Sequence, residues 1–411
     1  MARLRRDGLA KRSAGRLRRI APSGQRPAPP REARPATKWP SGQPACIIPE
    51  MTRSRLLLVA LVLSLGAGTA AFGPRTDAAG QASARPPGTN YKRPAFTFNK
   101  ITDGVYLAVG TGSLVVMSNA AIIEGDRDVL VVDSHVTPGG AWALREELKA
   151  ITDKPIRFVV NSHFHFDHSH GNQIYGPDVE IIGHEFARAQ MVAGKSLDSR
   201  AHEFYVGGVP NAIKNLEGRL AAASDEKERA TVQAQLDVQR NHLEGTKAVT
   251  PTPPSVTLTH TMTLHRGARE IRLMHLGRAH TAGDVIVHLP KERIIATGDL
   301  LVEATSYMGD AFFTEWIETI EALKQVDFDT VLPGHGRAFT GKAKLDHWQA
   351  YLRDFWAQAQ KFHQAGVPWE EAAKQVDLRA NAVNYPTIRA AGLTPNHGML
   401  RAYEILDGKV K

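Results

Sequence analysis

Asn161-Ser-His-Phe-His-Phe-Asp-His168 sets four potential metal-binding side chains, His163, His165, Asp167 and His168, within six residues. Packing alone does not account for that density. The preceding run, Ile156-Arg-Phe-Val-Val160, is apolar and rich in β-branched residues, so it reads as a short buried strand that gives way to a loop where the histidines begin. Side chains two apart on extended backbone point the same way, which lets His163 and His165 reach one ion together. Asp167 and His168 follow where the chain must turn, and can face a second ion close by. Imidazole nitrogen with carboxylate oxygen suits zinc and tolerates iron or manganese. The plain alternative is a histidine-rich surface loop that binds nothing.

Three downstream segments weigh against that alternative. Ile271-Arg-Leu-Met-His-Leu276 reads as a strand running into the Gly-punctuated loop Gly277-Arg-Ala-His-Thr-Ala-Gly-Asp284, which presents His280. Glu292-Arg-Ile-Ile-Ala-Thr297 is strand-like and ends in Gly298-Asp299, so a carboxylate stands just past a strand terminus. Thr330-Val-Leu332 leads into Pro333-Gly-His-Gly336, exposing His335 between two glycines. The same grammar recurs four times: an apolar strand, then a ligand.

This ordered series, His163-x-His165-x-Asp167-His168 followed by His280, Asp299 and His335, resembles the metallo-β-lactamase superfamily over nearly all of the chain after about Thr97. The resemblance implies an α/β fold, a four-layer αβ/βα sandwich of two mixed β-sheets flanked by helices, with a dinuclear site on one edge of the sheets. It implies that His163, His165 and His280 hold one ion, that Asp167, His168 and His335 hold the other, and that Asp299 bridges them. Two ions about 4 Å apart can share a hydroxide whose pKa falls to near 7. The expected cofactor is therefore two Zn2+ per chain, with iron or manganese as the alternatives, and Asp167 is the expected catalytic residue, orienting the hydroxide and relaying its proton.

The sequence offers no competing nucleophile. The only cysteine, Cys46, lies in a Pro/Arg-rich stretch, and the chain has no Gly-x-Ser-x-Gly elbow, no Gly-rich phosphate loop ending in Gly-Lys-Ser/Thr, no Cys-x-x-Cys pair and no dinucleotide fingerprint. Metal-assisted hydrolysis of a small molecule remains. Classical zinc β-lactamases of this pattern commonly carry cysteine or serine where this chain has Asp299, whereas hydroxyacylglutathione thioesterases and lactonases carry the bridging aspartate. That favours a carbonyl ester, thioester or lactone hydrolase, with a β-lactamase-like amide hydrolase as runner-up. Two departures weaken the thioesterase analogy: the loop reads Gly277-Arg-Ala-His280 rather than Pro-Gly-His, and no glutathione-binding tail is recognisable. An iron redox protein and a non-catalytic metal-binding scaffold are the readings from other classes.

Net charge is confined to the leader. Residues 1–50 hold 12 Lys/Arg against 3 Asp/Glu, which carries the whole net charge of +9. Met51-Thr-Arg-Ser-Arg55, the apolar run Leu56 to Leu65 and the small residues Gly66 to Ala71 have the layout of a secretory signal peptide. The expected organisation is a basic extension, 1–50, absent from the mature protein; a signal peptide, 51–71; a flexible Gly/Ala/Pro/Ser-rich tether, 72–96; and a hydrolase domain, 97–411, with a helical insertion at about 195–250. The near-neutral remainder argues against a nucleic-acid partner. A cleaved leader leaves no stable membrane insertion, and a mature chain without cysteine fits the periplasm or cell exterior.

Other residues carry open expectations. Val105 to Val109, Leu114 to Met117, Ala120 to Ile123 and Val129 to Asp133 read as an opening meander, and Ala141 to Ala150 as a helix. Asp133 either lies beneath the metal site or caps its strand. The insertion, with apolar spacing over Ala212–Leu220 and Ala230–Leu243 and a cap at Ser224-Asp225, reads as a helical hairpin. It is either a lid, a solvated excursion or a dimer contact. Tyr307, Phe312 and Phe313 either wall the site or enter the core, and Trp316 belongs to the core. His184, His275 and His288 read as structural, His170 as a neighbour of the ligands, and His135 and His397 as open. Asp284 reads as a loop brace.

Overall fold

Short apolar runs pair into two sheets whose strands follow one another in chain order. The first contains β1 (Phe96–Thr102), β2 (Val105–Gly110), β3 (Ala120–Glu124), β4 (Val129–Val132), β5 (Ile156–Val160), β6 (Glu180–His184) and β7 (Val256–Leu258). It is antiparallel from β1 to β4 and parallel from β4 to β7. The second contains β8 (Thr261–Arg266), β9 (Arg269–Met274), β10 (Ile286–Leu289), β11 (Ile294–Gly298), β12 (Thr330–Pro333) and β13 (Phe339–Thr340). Its β11 and β12 are parallel and its other neighbours antiparallel. This computed structural model describes residues 84–385 and 396–410. The expectations placed on 1–50, on the signal peptide 51–71 and on Cys46 lie outside the described residues.

Alternation along the strands builds the layers. Leu130 and Val132 of β4 point to the middle, where they meet Val105, Leu107 and Ile123 and, from the second sheet, Ile271, Leu273 and Val287. Their neighbours Val129 and Val131 point outward against Leu144 and Leu148 of α1 (Pro138–Leu148). On the far side, Ile286, Ile295 and Val331 meet α7 (Phe313–Lys324) and α8 (Ala343–Gln364) through Trp316, Ile320, Trp348 and Phe355. Both sheets are thus covered on both faces, and the expected four-layer sandwich of two mixed sheets flanked by helices is the fold. Trp316 is core, as its spacing predicts, and Phe313 joins it.

The remaining helices have local causes. The hydroxyl of Thr137 accepts from Gly140 N at 3.1 Å and Pro138 occupies the first turn, which starts α1. A single turn, α2 (Phe166–Ser169), follows the histidine motif, α3 (Glu185–Val192) leads into the insertion, and α4 (Arg200–Tyr205) opens it. There α5 (Val209–Ala222) and α6 (Glu226–Lys247) form a hairpin. Asp225 caps α6 by accepting from Glu228 N at 2.8 Å, and Glu228 reaches back to Ser224 N at 3.2 Å. Val232 and Leu236 supply the buried stripe. Two further helices, α9 (Trp369–Gln375) and α10 (Asn396–Leu406), close the carboxy-terminal side against α8.

Three expectations differ from the structure. Leu114 to Met117 forms no strand: Met117 has φ 65°, and the carbonyl of Val116 accepts from Ser118 N at 3.0 Å, so the chain turns where the apolar run suggests extension. His275 lies one residue past β9 rather than within it. Residues 84–95, expected as tether, lie against the domain. Ala95 N and Phe96 N donate to the Glu147 carboxylate at 2.7 and 3.1 Å, Asn90 N donates to Asn241 Oδ1 at 2.9 Å, and the Arg85 guanidinium sits 5.2 Å from the Trp142 ring. Composition reads as a linker because these anchors are backbone donors meeting distant side chains.

Candidate metal centre

All four ligand-bearing loops emerge where strands end. After β5, Asn161 Nδ2 donates to the carbonyl of His168 at 3.0 Å, and His168 N donates to the carbonyl of His165 at 3.0 Å. Those bonds fold the motif into the α2 turn and point its four side chains inward. Between β9 and β10, Thr281 donates through N and Oγ1 to the two carboxylate oxygens of Asp284, both at 2.8 Å, which fixes the turn that presents His280. Asp284 is the loop brace that the sequence suggests. Asp299 follows Gly298, whose φ is 51°; a Cβ there would meet Ser162 Oγ at 2.3 Å, so only glycine allows this loop to pass the histidine loop. The His335 loop after β12 is held by Asn119, whose Nδ2 donates to the carbonyls of Pro333 and Gly336 at 2.9 and 2.8 Å.

The seven expected residues converge. His163, His165 and His280 each offer an atom within 4.8 Å of the others', and so do Asp167, His168 and His335; these groups could each hold an ion. Asp299 lies where the two groups meet. Its Oδ1 is 3.4 Å from Nε2 of His168, and its Oδ2 is 3.3 Å from Nε2 of His335 and 3.8 Å from Nε2 of His280. Oδ2 of Asp167 stands 3.2 Å from Nε2 of His335 and 3.4 Å from Nε2 of His168. Six of the seven are buried, and His335, with 37 % of its side chain exposed, forms the open edge.

The donor atoms themselves show that cations fit. Nε2 of His163, Nε2 of His168 and Oδ1 of Asp299 are buried without a hydrogen-bond partner, a cost a protein seldom bears unless an ion or water supplies the missing contact. The other ring nitrogens of His163, His165 and His168 are occupied, whereas Nδ1 of His280 is also buried without a partner. Nδ1 of His168 donates to Oδ2 of Asp133 at 2.7 Å, and Ser162 donates to the same carboxylate through N and Oγ at 2.7 and 2.8 Å. Ser162 Oγ also lies 3.0 Å from Nδ1 of His163. On the opposite side, Nε2 of His165 lies 3.0 Å from Oδ2 of Asp310. Such partners fix tautomer and ring orientation. Ser162, Asp310 and Asn119 were not singled out by the sequence reading, since neither the strand-then-ligand grammar nor any motif marks them.

Charge follows this geometry. Burial opposes ionisation of Asp167 and Asp299, yet the imidazoles of His168 and His335 outweigh it and hold both as carboxylates. Burial likewise opposes a proton on His168 and His335, but the carboxylates around them prevail, raising His168 well above its ordinary value and His335 to about 10. His163 and His280 are driven down, first by burial and then by neighbouring imidazoles, His280 to about 3. Without an ion, protons on His168 and His335 balance the acids. A divalent cation can take the place of those protons.

A cavity of about 610 Å3 opens over the cluster. Met117, Phe166, Val302, Tyr307 and Tyr385 line it, together with Ala201 and Tyr205 from α4 of the insertion. The insertion therefore contributes wall, and Tyr307, left open by the sequence, is wall as well. Among the described residues the other histidines join no candidate ion-binding group. The rings of His184 and His275 lie 4.2 Å apart, tilted, and bond to the carbonyls of Thr259 and Asp284, His288 reaches the carbonyl of Asp327, and Nδ1 of His135 lies 3.1 Å from the carbonyl of Ser118. His170 packs against Phe166 and His202, and His397 meets Phe204 and Tyr307 edge to face.

A sequence model of the metallo-beta-lactamase superfamily matches residues 114–178 and 200–335, which include all seven converging residues. The 2,4-dinitroanisole O-demethylase subunit alpha of Nocardioides sp. (strain JS1661) is 25 % identical over 240 residues, 57 % of this chain and 54 % of that protein. The linear primary-alkylsulfatase of Pseudomonas sp. (strain ATCC 19151) is 21 % identical over 302 residues, 69 % of this chain and 54 % of that protein. The chain thus spans about half the length of these curated relatives. A solved metallo-beta-lactamase from Pontibacter korlensis superposes with a TM-score of 0.45 at 18 % identity, covering 63 % of this chain and 99 % of that one.

Proposed function

The chain belongs to the metallo-β-lactamase superfamily, and on that premise we propose that it is a zinc-dependent hydrolase of a carbonyl ester, thioester or lactone bond in a small molecule. The observation that carries this reading is Asp299, a carboxylate within 3.3 to 3.8 Å of imidazoles from both ion-binding groups. A bridging carboxylate in that place goes with ester-type hydrolysis in the resemblance drawn above.

His163, His165 and His280 would hold one zinc, Asp167, His168 and His335 the other, and Asp299 both. Bound there, the ions supply a water nucleophile acidic enough to react at neutral pH and a positive charge for the oxyanion that develops. Asp167 faces His168 and His335 through Oδ2, and its Oδ1 orients the attacking water and takes its proton. Asp133 and Asp310 keep the imidazoles of His168 and His165 turned so that their other nitrogens face the ions. The apolar wall reduces the water in contact with the cluster, which would strengthen each of these charge interactions. The segment Met51 to Ala71 supports export, so the periplasm or cell exterior is the proposed place of action.

The test is a substrate panel on the zinc-loaded protein: aryl esters, lactones, thioesters, nitrocefin, and a linear alkyl sulfate chosen from the alkylsulfatase relative. Turnover of an ester, thioester or lactone that chelation abolishes and zinc restores is the expected result. Preference for nitrocefin or for the sulfate would reassign the bond that is cut.

A further inference from the structure

One charged side chain on the cavity wall is used neither by the ion-binding cluster nor by the proposed hydrolysis. Lys344, the second residue of α8, is the only lysine or arginine among the described residues lining the cavity. Its Nζ donates to the backbone carbonyl of Glu303 at 2.9 Å and lies 5.3 Å from the ring of Phe339 and 6.0 Å from that of Tyr385. These contacts hold the ammonium in place. The carboxylate of Glu303 feels the charge of Lys344 but makes its direct contacts elsewhere. That group is bound to Arg337, accepting from N, Nε and Nη2 at 2.8, 2.9 and 2.6 Å. Among the described residues no carboxylate oxygen comes within ion-pair distance of Lys344. An ammonium has three donors, and only one is engaged with a described residue.

The rest of the wall narrows what the free donors meet. The other charged groups there are the proposed ligands and the Arg337-bound Glu303, while Phe166, Tyr205, Tyr307 and Tyr385 present aromatic surface. A molecule filling the cavity therefore has its reacting bond at the cluster, an apolar body along the rings and a position left for negative charge at Lys344. We propose that the substrate is an amphiphile bearing an anionic group, a carboxylate or sulfonate-type anion, beside an apolar body, and that Lys344 selects it. This rests on the hydrolase reading of the same site and adds its substrate class.

Two measurements test it on the mature protein, with circular dichroism confirming that Lys344→Met and Lys344→Arg are folded. In the first, zinc-loaded enzyme is given an aryl ester with a terminal carboxylate and its neutral methyl-ester counterpart. The wild type is expected to favour the acid by about tenfold or more in kcat/KM, the scale of a charge-assisted hydrogen bond. Lys344→Met is expected to collapse that ratio through KM, and Lys344→Arg to keep most of it. In the second, calorimetry on chelated protein compares octanoate, octanesulfonate and octanamide. Both anions, or one of them, should bind more tightly than the amide in the wild type and lose that margin in Lys344→Met, and which anion binds identifies the headgroup. A wild type that does not discriminate, or a Lys344→Met variant that still does, overturns the proposal. If no ester is turned over but the calorimetric margin depends on Lys344, the hydrolase reading fails and the anion site stands.

Discussion

Oδ2 of Asp133 accepts from Nδ1 of His168 at 2.7 Å, and the same carboxylate takes both donors of Ser162. Asp133 ends the fourth strand in the left-handed region, with φ 70°, a conformation that costs energy for a residue with a Cβ. The strain is compensated by three hydrogen bonds that orient His168 and, through Ser162, His163. Asp133→Asn keeps the shape and removes the charge. Metal affinity on the His168 side should fall about 10- to 100-fold, measured by chelator competition; unchanged affinity would show that Asp133 serves only to end its strand.

Asp167→Asn separates chemistry from structure. At saturating zinc, kcat should fall roughly 100-fold or more, while thermal unfolding remains a single cooperative transition. Full turnover in this variant would remove Asp167 from the proton path.

The pH dependence of the metal-free protein follows from the signs of its shifts. His168 and His335 have folded-state values raised above the ordinary 6.5, His335 to about 10, so their protons contribute stability below 6.5 that is lost as pH rises toward 10. His163 and His280 are pushed down, so holding them neutral costs stability as pH falls below 6.5. Chelated protein should be most stable near pH 6.5. Zinc should raise the melting temperature by an increment that grows from pH 6.5 to 9, measured by scanning fluorimetry. An increment that shrinks over that range contradicts the protonation pattern.

Tyr205 carries the lid reading of the insertion. It reaches the cavity wall from α4 while 45 % of its surface stays exposed. Tyr205→Ala should raise KM for apolar substrates about tenfold, the scale of losing one large apolar contact, with little change in kcat. An unchanged KM would make the insertion a bystander.

The residues of the cluster were legible because each lies on a loop that opens at a strand end, and local sequence marks strand ends well. Leu130 to Val132 and Ile294 to Thr297 announce their strands by β-branching, and the next polar residue is the one that matters. The supporting contacts were not legible. Asp310 meets His165 across 145 residues and Asn119 meets Pro333 across 214, so the fold alone brings them together. Leu114 to Met117 misled for a related reason: Leu114 and Val116 are buried under a turn rather than along a ladder. The docking of residues 84–95 was hidden because Gly- and Pro-rich composition signals a linker, whereas the anchors lie on α1 and α6.

The proposed two-zinc hydrolytic centre is tested by a zinc titration of chelated protein followed by elemental analysis and by turnover of the best ester, thioester or lactone. Two zinc ions bound per chain, with turnover that reaches its plateau at the second equivalent, is the predicted result. Saturation at one ion, preferential retention of iron, or two bound zinc ions with no hydrolysis of any ester, thioester or lactone would contradict it.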